Sequence, residues 1–387
     1  MAGKMRQKYR QQNDIKLKIA DKVLSMFFRE QKAEEPIDLF TVKRILVIDY
    51  SLIGDTIMSI PFFRVLHNNC PNAIIDVVCS ETEKTLLQDE KLINKYYIVN
   101  YKQLLSIEHP VSMLKYIKDV CNKVNNFGEY DIALEPRGDI RLLFFMHYCN
   151  AKRKVSYNYS GGEYFLTDVI PTEEKLCHLL DEKLNVLKFI GCTFDAADRI
   201  PSIARSKECV DFEKKFVQEH SLDNEVIIGI HPGSSLNIKK WEHFNELMID
   251  LNNRVSNCCF IIFGGPGEDD ADRMALCARE KSIKYIISKS KLKEYVYTLG
   301  VCDCVICNDS GAGHIAAALG VKTVALLGPF SSEYCAPVGR LSYPISKELE
   351  CKPCLLRECQ FGTKKCLNMI SVQEVSNRVV QCIHDLT

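Results

Sequence analysis

Neither sign of charge predominates in this chain: 50 Lys and Arg balance 50 Asp and Glu over 387 residues. Proteins that coat nucleic acid draw on clustered basic residues, so this balance argues against that class. Long apolar runs are missing too. The most apolar stretch, 315–330, is broken by Gly320 and Lys322 and falls short of the about 18 residues a span needs. The opening residues, MAGKMRQKYRQQNDIKLK, lack an apolar h-region, so no secretory signal is visible. Tryptophan occurs once, and 19 Gly with 13 Pro is ordinary globular usage, which excludes fibrous repeats and low-complexity disorder. Cysteine is the exception, at 19. Without a secretory signal these thiols read as mostly reduced, and the expected compartment is cytoplasmic.

At roughly 150 residues per domain, the length points to two domains with separate cores. Residues 1–32 hold nine Lys and Arg against three Asp and Glu, a local excess of six. Apolar residues lie among them at helical spacing. The stretch reads either as a basic amphipathic helix lying on an anionic membrane or as a helix packed on the protein with a solvated basic face. From Lys43 the text changes to RILVIDY, then a Gly-containing turn, then TIMSIPFFRVLHNN, then AIIDVVC. Strand, helix and strand within about 35 residues make a parallel βαβ unit. YDIALEP repeats the strand signal, and 173–190 reads as a helix. A break of short polar pieces at 194–224 separates the halves.

EVIIGIHPGSS opens a second series. Strands are expected at 226–231, 259–263, 285–287, 304–307 and 323–327, with helices at 241–253, 269–281, 292–300 and 313–319. This is a second doubly wound domain. Four turns each follow an apolar strand and precede a helix: Ile53-Gly54-Asp55-Thr56, His231-Pro232-Gly233-Ser234-Ser235, Gly264-Gly265-Pro266-Gly267-Glu268 and Asn308-Asp309-Ser310-Gly311-Ala312-Gly313-His314. Such turns lie at the ligand-binding edge of a parallel sheet, and backbone N–H groups at a helix start favour anions. A phosphate-bearing ligand is the natural inference, although turn chemistry alone would explain any one of them. There is no G-x-x-x-x-G-K-[ST] and no G-x-G-x-x-G in the first turn, which argues against a P-loop nucleotidase and a standard dinucleotide dehydrogenase. Asp55 reads equally as a helix N-cap or as a general base.

The segments RILVIDYSLIGDTIMSIPFFRVLHNN, IGIHPGSSLNIKKWEHFNELM, IIFGGPGEDD and CDCVICNDSGAGHIAAALGVKTVALLGPF, with the late Cys-x-x-Cys, occur in an order that resembles glycosyltransferase family 9, the heptosyltransferases of lipopolysaccharide core assembly. The resemblance covers about residues 43–380. It implies an α/β chain of the GT-B fold, two Rossmann-like doubly wound domains facing across a cleft. The implied division is a basic extension at 1–40, an acceptor-binding domain at 41–205, a nucleotide-sugar-binding domain at 206–350, and a Cys-containing segment with a final helix at 351–387.

The resemblance also assigns roles. Asp55 corresponds to the base that deprotonates the acceptor hydroxyl. Lys239 matches a lysine on the donor phosphates, Ser234 and Ser235 the small hydroxyl residues of that loop, and Glu268 an acidic position near the ribose. Asp309, Ser310, Gly311 and His314 match the turn that holds sugar and diphosphate. Gly54 is expected on the acceptor side, and the loops at 136–141 and 152–164 carry Arg137, Arg141, Lys152, Arg153 and Lys154, which read equally as groups that meet acceptor phosphates or carboxylates and as solvated surface charges. The implied reaction is an inverting transfer of heptose or a related sugar from a nucleotide sugar, ADP-heptose in the family, with no metal and no resident cofactor. The acceptor is a lipopolysaccharide core or other glycan, and a peripheral contact with the inner membrane surface is the further expected partner. Nucleic acid is not one.

Two departures from the family pattern matter. Glu242 follows Trp241 where the family usually has Pro, and Lys240 stands beside Lys239 as an alternative phosphate ligand. Cys351, Cys354, Cys359 and Cys366 read as a structural zinc site, disulfides or free thiols. His231 reads as structural, His314 as a donor to ligand, and Trp241 as a packing anchor. Two other functions fit the same motifs: a nucleotide-sugar epimerase, which needs no acceptor, and a catalytically silent nucleotide-sugar-binding scaffold.

Overall fold

A computed structural model describes residues 15–384 apart from 30, 31, 34, 106–108, 173–176, 266, 268 and 355. The chain divides into two compact units: residues up to Leu52 with Ser59–Arg199, and Ile53–Met58 with Ile200 onward.

The first unit is built on six parallel strands: β1 (Arg44–Ile48), β2 (Ile74–Cys79), β3 (Lys95–Ile98), β4 (Tyr130–Glu135), β5 (Ala151–Ser156) and β6 (Asp168–Val169). Their order across the sheet is β3-β2-β1-β4-β5-β6. The second unit holds β7 (Val226–His231), β8 (Cys258–Phe263), β9 (Tyr285–Ser288), β10 (Cys304–Asn308), β11 (Lys322–Leu327) and β12 (Ile345–Ser346), in the order β12-β11-β10-β7-β8-β9. Counted from its first strand, each sheet runs 3-2-1-4-5-6, the doubly wound order of dinucleotide-binding folds. The order reverses between β1 and β4 in one sheet and between β7 and β10 in the other, and ligands bind outside the carboxyl ends of strands at that point.

The strands form where the sequence is continuously apolar because helices cover both faces of a parallel sheet. Every residue of Cys258–Phe263 is buried. Register sets Ile262, Ile230, Ile306 and Val324 side by side across β8, β7, β10 and β11. In the first sheet Ile45 lies between Ile75 and Ile132.

Several elements differ from the sequence reading. The helix after β1 begins at Ile53 rather than Thr56, with Leu52 as its N-cap, so Asp55 is the third helical residue and not the cap. The segment 194–224 contains a helix, Lys207–Glu219, whose Phe212 packs on Phe216 and Tyr297 with ring centroids 6.0 and 5.6 Å apart. Its many charges hid its narrow apolar stripe. The helix expected at 173–190 spans Leu179–Phe189, residues 173–176 lying outside the described residues. The helix expected from Trp241 starts at Phe244, because the Trp241 N–H is taken by the Asn308 side chain at the end of β10. Among the described residues no helix is long and apolar enough to cross a membrane.

Phe260 is fully buried in the second core. Phe260→Ala should cost about 3–5 kcal/mol, seen as a lower denaturant midpoint at unchanged slope.

Candidate functional site

In the second unit the two loops at the strand-order reversal are stapled together by Asn308, the last residue of β10. Its side chain is fully buried. Its Oδ1 accepts from Trp241 N at 2.9 Å, and its Nδ2 donates to Pro232 O at 2.7 Å. Trp241, also buried, donates Nε1–H to Ile370 O at 3.0 Å and packs edge-on against Phe244 at 5.2 Å. The loop 232–240 is therefore fixed at both ends. The sequence reading took Asn308 as part of a turn and gave it no role. Its signal was an amide at the carboxyl end of a fully apolar strand, where a buried polar side chain needs partners.

Held in this way, Lys239 reaches the Asp309 turn. Its Nζ lies 3.0 Å from Asp309 Oδ2 and 4.3 Å from the centre of the Phe330 ring. Lys240 points elsewhere, to Asp270 Oδ2 at 2.5 Å. Asp309 leads into the helix Gly311–Ala318, whose N-cap Ser310 makes no side-chain capping bond. The Ser310 hydroxyl is buried beside the Cys307 thiol. Ser234 is buried, its Oγ 3.5 Å from Asp309 O, whereas Ser235 is exposed. Glu268 lies outside the described residues.

The same unit includes Ile53–Met58, the first turn of the Asp55 helix. A Cβ on Gly54 would stand 2.7 Å from the His314 ring, and one on Gly311 would stand 2.5 Å from Ile53. Glycine at both positions permits this approach, which brings Gly54 against His314. Burial holds the His314 imidazole below its usual range, against the opposing fields of Asp309 and Asp55. At neutral pH the ring is uncharged and can donate from one nitrogen. His231 is structural: its Nδ1 lies 3.1 Å from Tyr295 Oη.

The expectation of no metal draws on there being no Asp-x-Asp near the donor loop, and that premise is corrected: Asp270-Ala271-Asp272 follows the third glycine-rich turn. Asp270 pairs with Lys240 and Arg273, and Asp272 with Lys289. Cys351, Cys354, Cys359 and Cys366 line one small cavity with Ile238 and Pro329, and all four are free thiols. Among the described residues no group of three or more His, Cys, Asp and Glu is arranged to hold a metal ion.

In the first unit the loop after β4 is shaped by Glu135. Its buried carboxylate accepts from Gly138 N at 2.6 Å, Arg137 N at 3.1 Å and Ser156 Oγ at 2.8 Å, and burial pushes it up to about 7. Arg137 donates to Tyr50 O at 2.6 Å, and Arg141 forms a two-point pair with Asp139 at 2.9 and 2.6 Å. The second expected acceptor loop is corrected in part. Lys152, Arg153 and Lys154 lie in β5, not in a loop. Lys152 pairs with Asp131 at 2.7 Å, Arg153 with Asp168, and Lys154 is buried. Carboxylates of the neighbouring strands take up the charges of Lys152 and Arg153, and Lys154 donates to His147 O.

In the second of two doubly wound sheets, a lysine and a helix N-terminus converge beyond the carboxyl edge of the strands, an arrangement whose chemistry suits an anion. The family model described as glycosyltransferase family 9 (heptosyltransferase) matches residues 120–365. The chain belongs to this family and is a glycosyltransferase. It is 23% identical over 333 residues to a lipooligosaccharide heptosyltransferase 2 of Campylobacter jejuni, covering 84% of this chain and 93% of that protein. It is 24% identical over 306 residues to a lipopolysaccharide heptosyltransferase 2 of Salmonella typhimurium, covering 76% and 85%. Among solved structures, a family 9 glycosyltransferase from Veillonella parvula superposes with a TM-score of 0.77 at 22% identity, over 91% of this chain and all of that one. The Escherichia coli ADP-heptose LPS heptosyltransferase II superposes at 0.71 and 21% identity, over 88% and 99%. The fold is the GT-B fold of these proteins.

Because the Glu135 carboxyl is raised in the folded state, its contribution to stability is full below its unfolded value of 4.5 and is lost as pH rises through about 7. Glu135→Gln should therefore flatten the decline in stability between pH 4.5 and 7.5, read from denaturant titrations of both proteins.

Proposed function

We propose that this glycosyltransferase moves a heptose from ADP-heptose to a lipopolysaccharide-type core acceptor, by a metal-independent, inverting displacement. The observation that carries the reading is the Lys239–Asp309 pair at 3.0 Å, which sets an ammonium beside the N-terminus of Gly311–Ala318. The relatives' printed activities supply the sugar and the acceptor class.

Asp55 takes the proton from the acceptor hydroxyl. The oxygen attacks the anomeric carbon, the bond from that carbon to the diphosphate oxygen breaks, and ADP departs with the electron pair. Lys239 and the amides at Gly311 take up the developing negative charge on the diphosphate. Asp309 holds Lys239 in place until the donor arrives. The buried Ser310 hydroxyl and the neutral His314 ring offer hydrogen bonds to the donor. One carboxylate suffices, since the leaving group needs charge stabilisation and not a proton; a glycosidase would need two carboxylates flanking the bond. Gly54, Arg137 and Arg141 serve the acceptor.

Calorimetry with ADP-heptose tests the donor half. Lys239→Ala should weaken binding roughly 10- to 100-fold, the worth of a charge-assisted hydrogen bond, and undiminished affinity would refute it. Asp55→Asn should lower turnover about 10²- to 10⁴-fold while donor affinity stays at the wild-type value.

The membrane reading of the N-terminal helix has its own support. Helix Ile15–Leu24 is seated on the first unit: Asp21 accepts from Gly162 N at 2.9 Å and Tyr164 Oη at 3.0 Å, while Leu24 and Phe28 pack on the core. Ile19, Val23, Met26 and Phe27 point outward, 47–77% exposed, in a stretch with an excess of six positive charges. This pattern fits an anionic lipid surface. The protein should sediment with vesicles containing phosphatidylglycerol and not with pure phosphatidylcholine, and Met26→Asp with Phe27→Asp should abolish the difference.

A further inference from the structure

The first unit buries a lysine on which the reaction scheme does not call. Lys183, in the middle of Leu179–Phe189, has 1% of its side chain exposed. Its Nζ lies 3.0 and 2.9 Å from the two oxygens of Asp49 and 2.9 Å from Ser51 Oγ, and it also donates to Ser59 Oγ. Ser51 donates to Asp49 Oδ1 at 2.7 Å and Ser59 to Asp49 Oδ2 at 2.6 Å. One ammonium and one carboxylate thus hold two serines that bracket the segment 52–58. Ser51 stands before that segment. Ser59 stands one helical turn after Asp55 on the helix Ile53–Asn69.

The rest of the approach to Asp55 is pinned as fully. Asp49 O accepts from Tyr101 Oη at 2.6 Å, Tyr50 O from Arg137, and Ser51 N donates to the buried Glu83 carboxylate at 3.0 Å. Glu83 also takes the Ser80 N–H at 2.7 Å, completing the capping box of Glu81–Leu87. Stability alone does not account for such a cluster, because a buried ion pair is often no better than apolar residues of the same size. What an ion pair with fixed hydrogen-bond directions does supply is a single geometry.

We infer that Lys183, through Asp49, Ser51 and Ser59, is a positioning residue that fixes the turn bearing Asp55 for proton abstraction. The inference rests on the reading of Asp55 as base. A carboxylate acting as general base must sit within hydrogen-bond reach of the proton it removes, and misplacement by about 1 Å can cost on the order of 100-fold in rate. Clamping the chain on both sides of Asp55 limits that displacement, while Asp55 itself stays outside the buried cluster.

The test uses Ser51→Ala and Ser59→Ala, which leave the Lys183–Asp49 pair in place, with Asp55→Asn as control. Turnover of ADP-heptose with acceptor is measured well below each melting temperature. Each serine variant is expected to lose about 5- to 50-fold in kcat, the range set by small displacements of a base. KM for the donor and the melting temperature should stay near wild type. Wild-type kcat in both serine variants, with Asp55→Asn inactive, overturns the clamp and leaves the base reading standing. A fall in kcat matched by a fall in the folded fraction marks a purely structural role and also overturns it. Wild-type turnover in Asp55→Asn overturns the base reading, and the clamp with it. Lys183→Met is the stronger variant; if it folds, its kcat should fall at least as far as that of either serine variant, and a wild-type kcat there counts against the clamp.

Discussion

Parallel strand pairing is the constraint on which everything else in this molecule depends. A parallel sheet returns the chain by a crossover, so all its strands end at one edge, and the order 3-2-1-4-5-6 leaves the loops after the first and fourth strands next to each other. In the second sheet those are the loops that carry Lys239 and Asp309; in the first they are the Asp49–Ser51 approach and the Glu135–Arg141 loop. Chemistry-bearing residues far apart in sequence meet there without any contact of their own having to draw them together. Side chains then refine what topology has placed. Asn308 does so in one sheet, holding both ends of the loop 232–240, and Lys183 in the other, holding Ser51 and Ser59 on the two sides of the segment 52–58.

The two refinements differ in their electrostatics. Asn308 is neutral, so its desolvation is modest and two hydrogen bonds satisfy it. Lys183 and Asp49 are both withdrawn from water, which is costly, and burial on its own would raise the Asp49 carboxyl; the field of Lys183 and the two serine bonds outweigh it and hold the carboxyl below its usual range. Lys239 stands between these cases. It is 16% exposed, paired with Asp309 and stacked over Phe330, so it is ordered yet still open to exchanging its partner.

Much of the fold was legible because buried parallel strands are predominantly apolar, and a single charge within them, such as Asp76 in 74–79 or Asp131 in 130–135, does not hide 44–48, 74–79, 130–135, 226–231 or 258–263; a cluster of charges does. AKRKVS is a strand only because Asp131 and Asp168 meet its cations, and those partners lie in other strands, outside any local window. KECVDFEKKFVQE is a helix whose Phe212 finds Tyr297 some eighty residues on. The site divides in the same manner. Turns rich in glycine announce themselves, so Asp55 and Asp309 stood out as candidates, while Lys239 came from the family resemblance. Asn308 and Lys183 did not stand out, since an amide at a strand end and a lysine on an amphipathic helix are ordinary surface features until their burial is known. Choosing between Lys239 and Lys240 likewise required knowing that Asp270 takes the second.

The seat of the N-terminal helix has a mechanical consequence. Gly161, at φ +94°, leaves room for the Asp21 carboxylate where any side chain would collide, and with Gly162 and Tyr164 it forms a socket for that one residue. A helix seated through Asp21 in its last turn, with Leu24 at its end and Phe28 just beyond it packed on the core, is a bracket rather than a leash. Whatever surface its outward face lies against, the first sheet is carried there at one angle and one height.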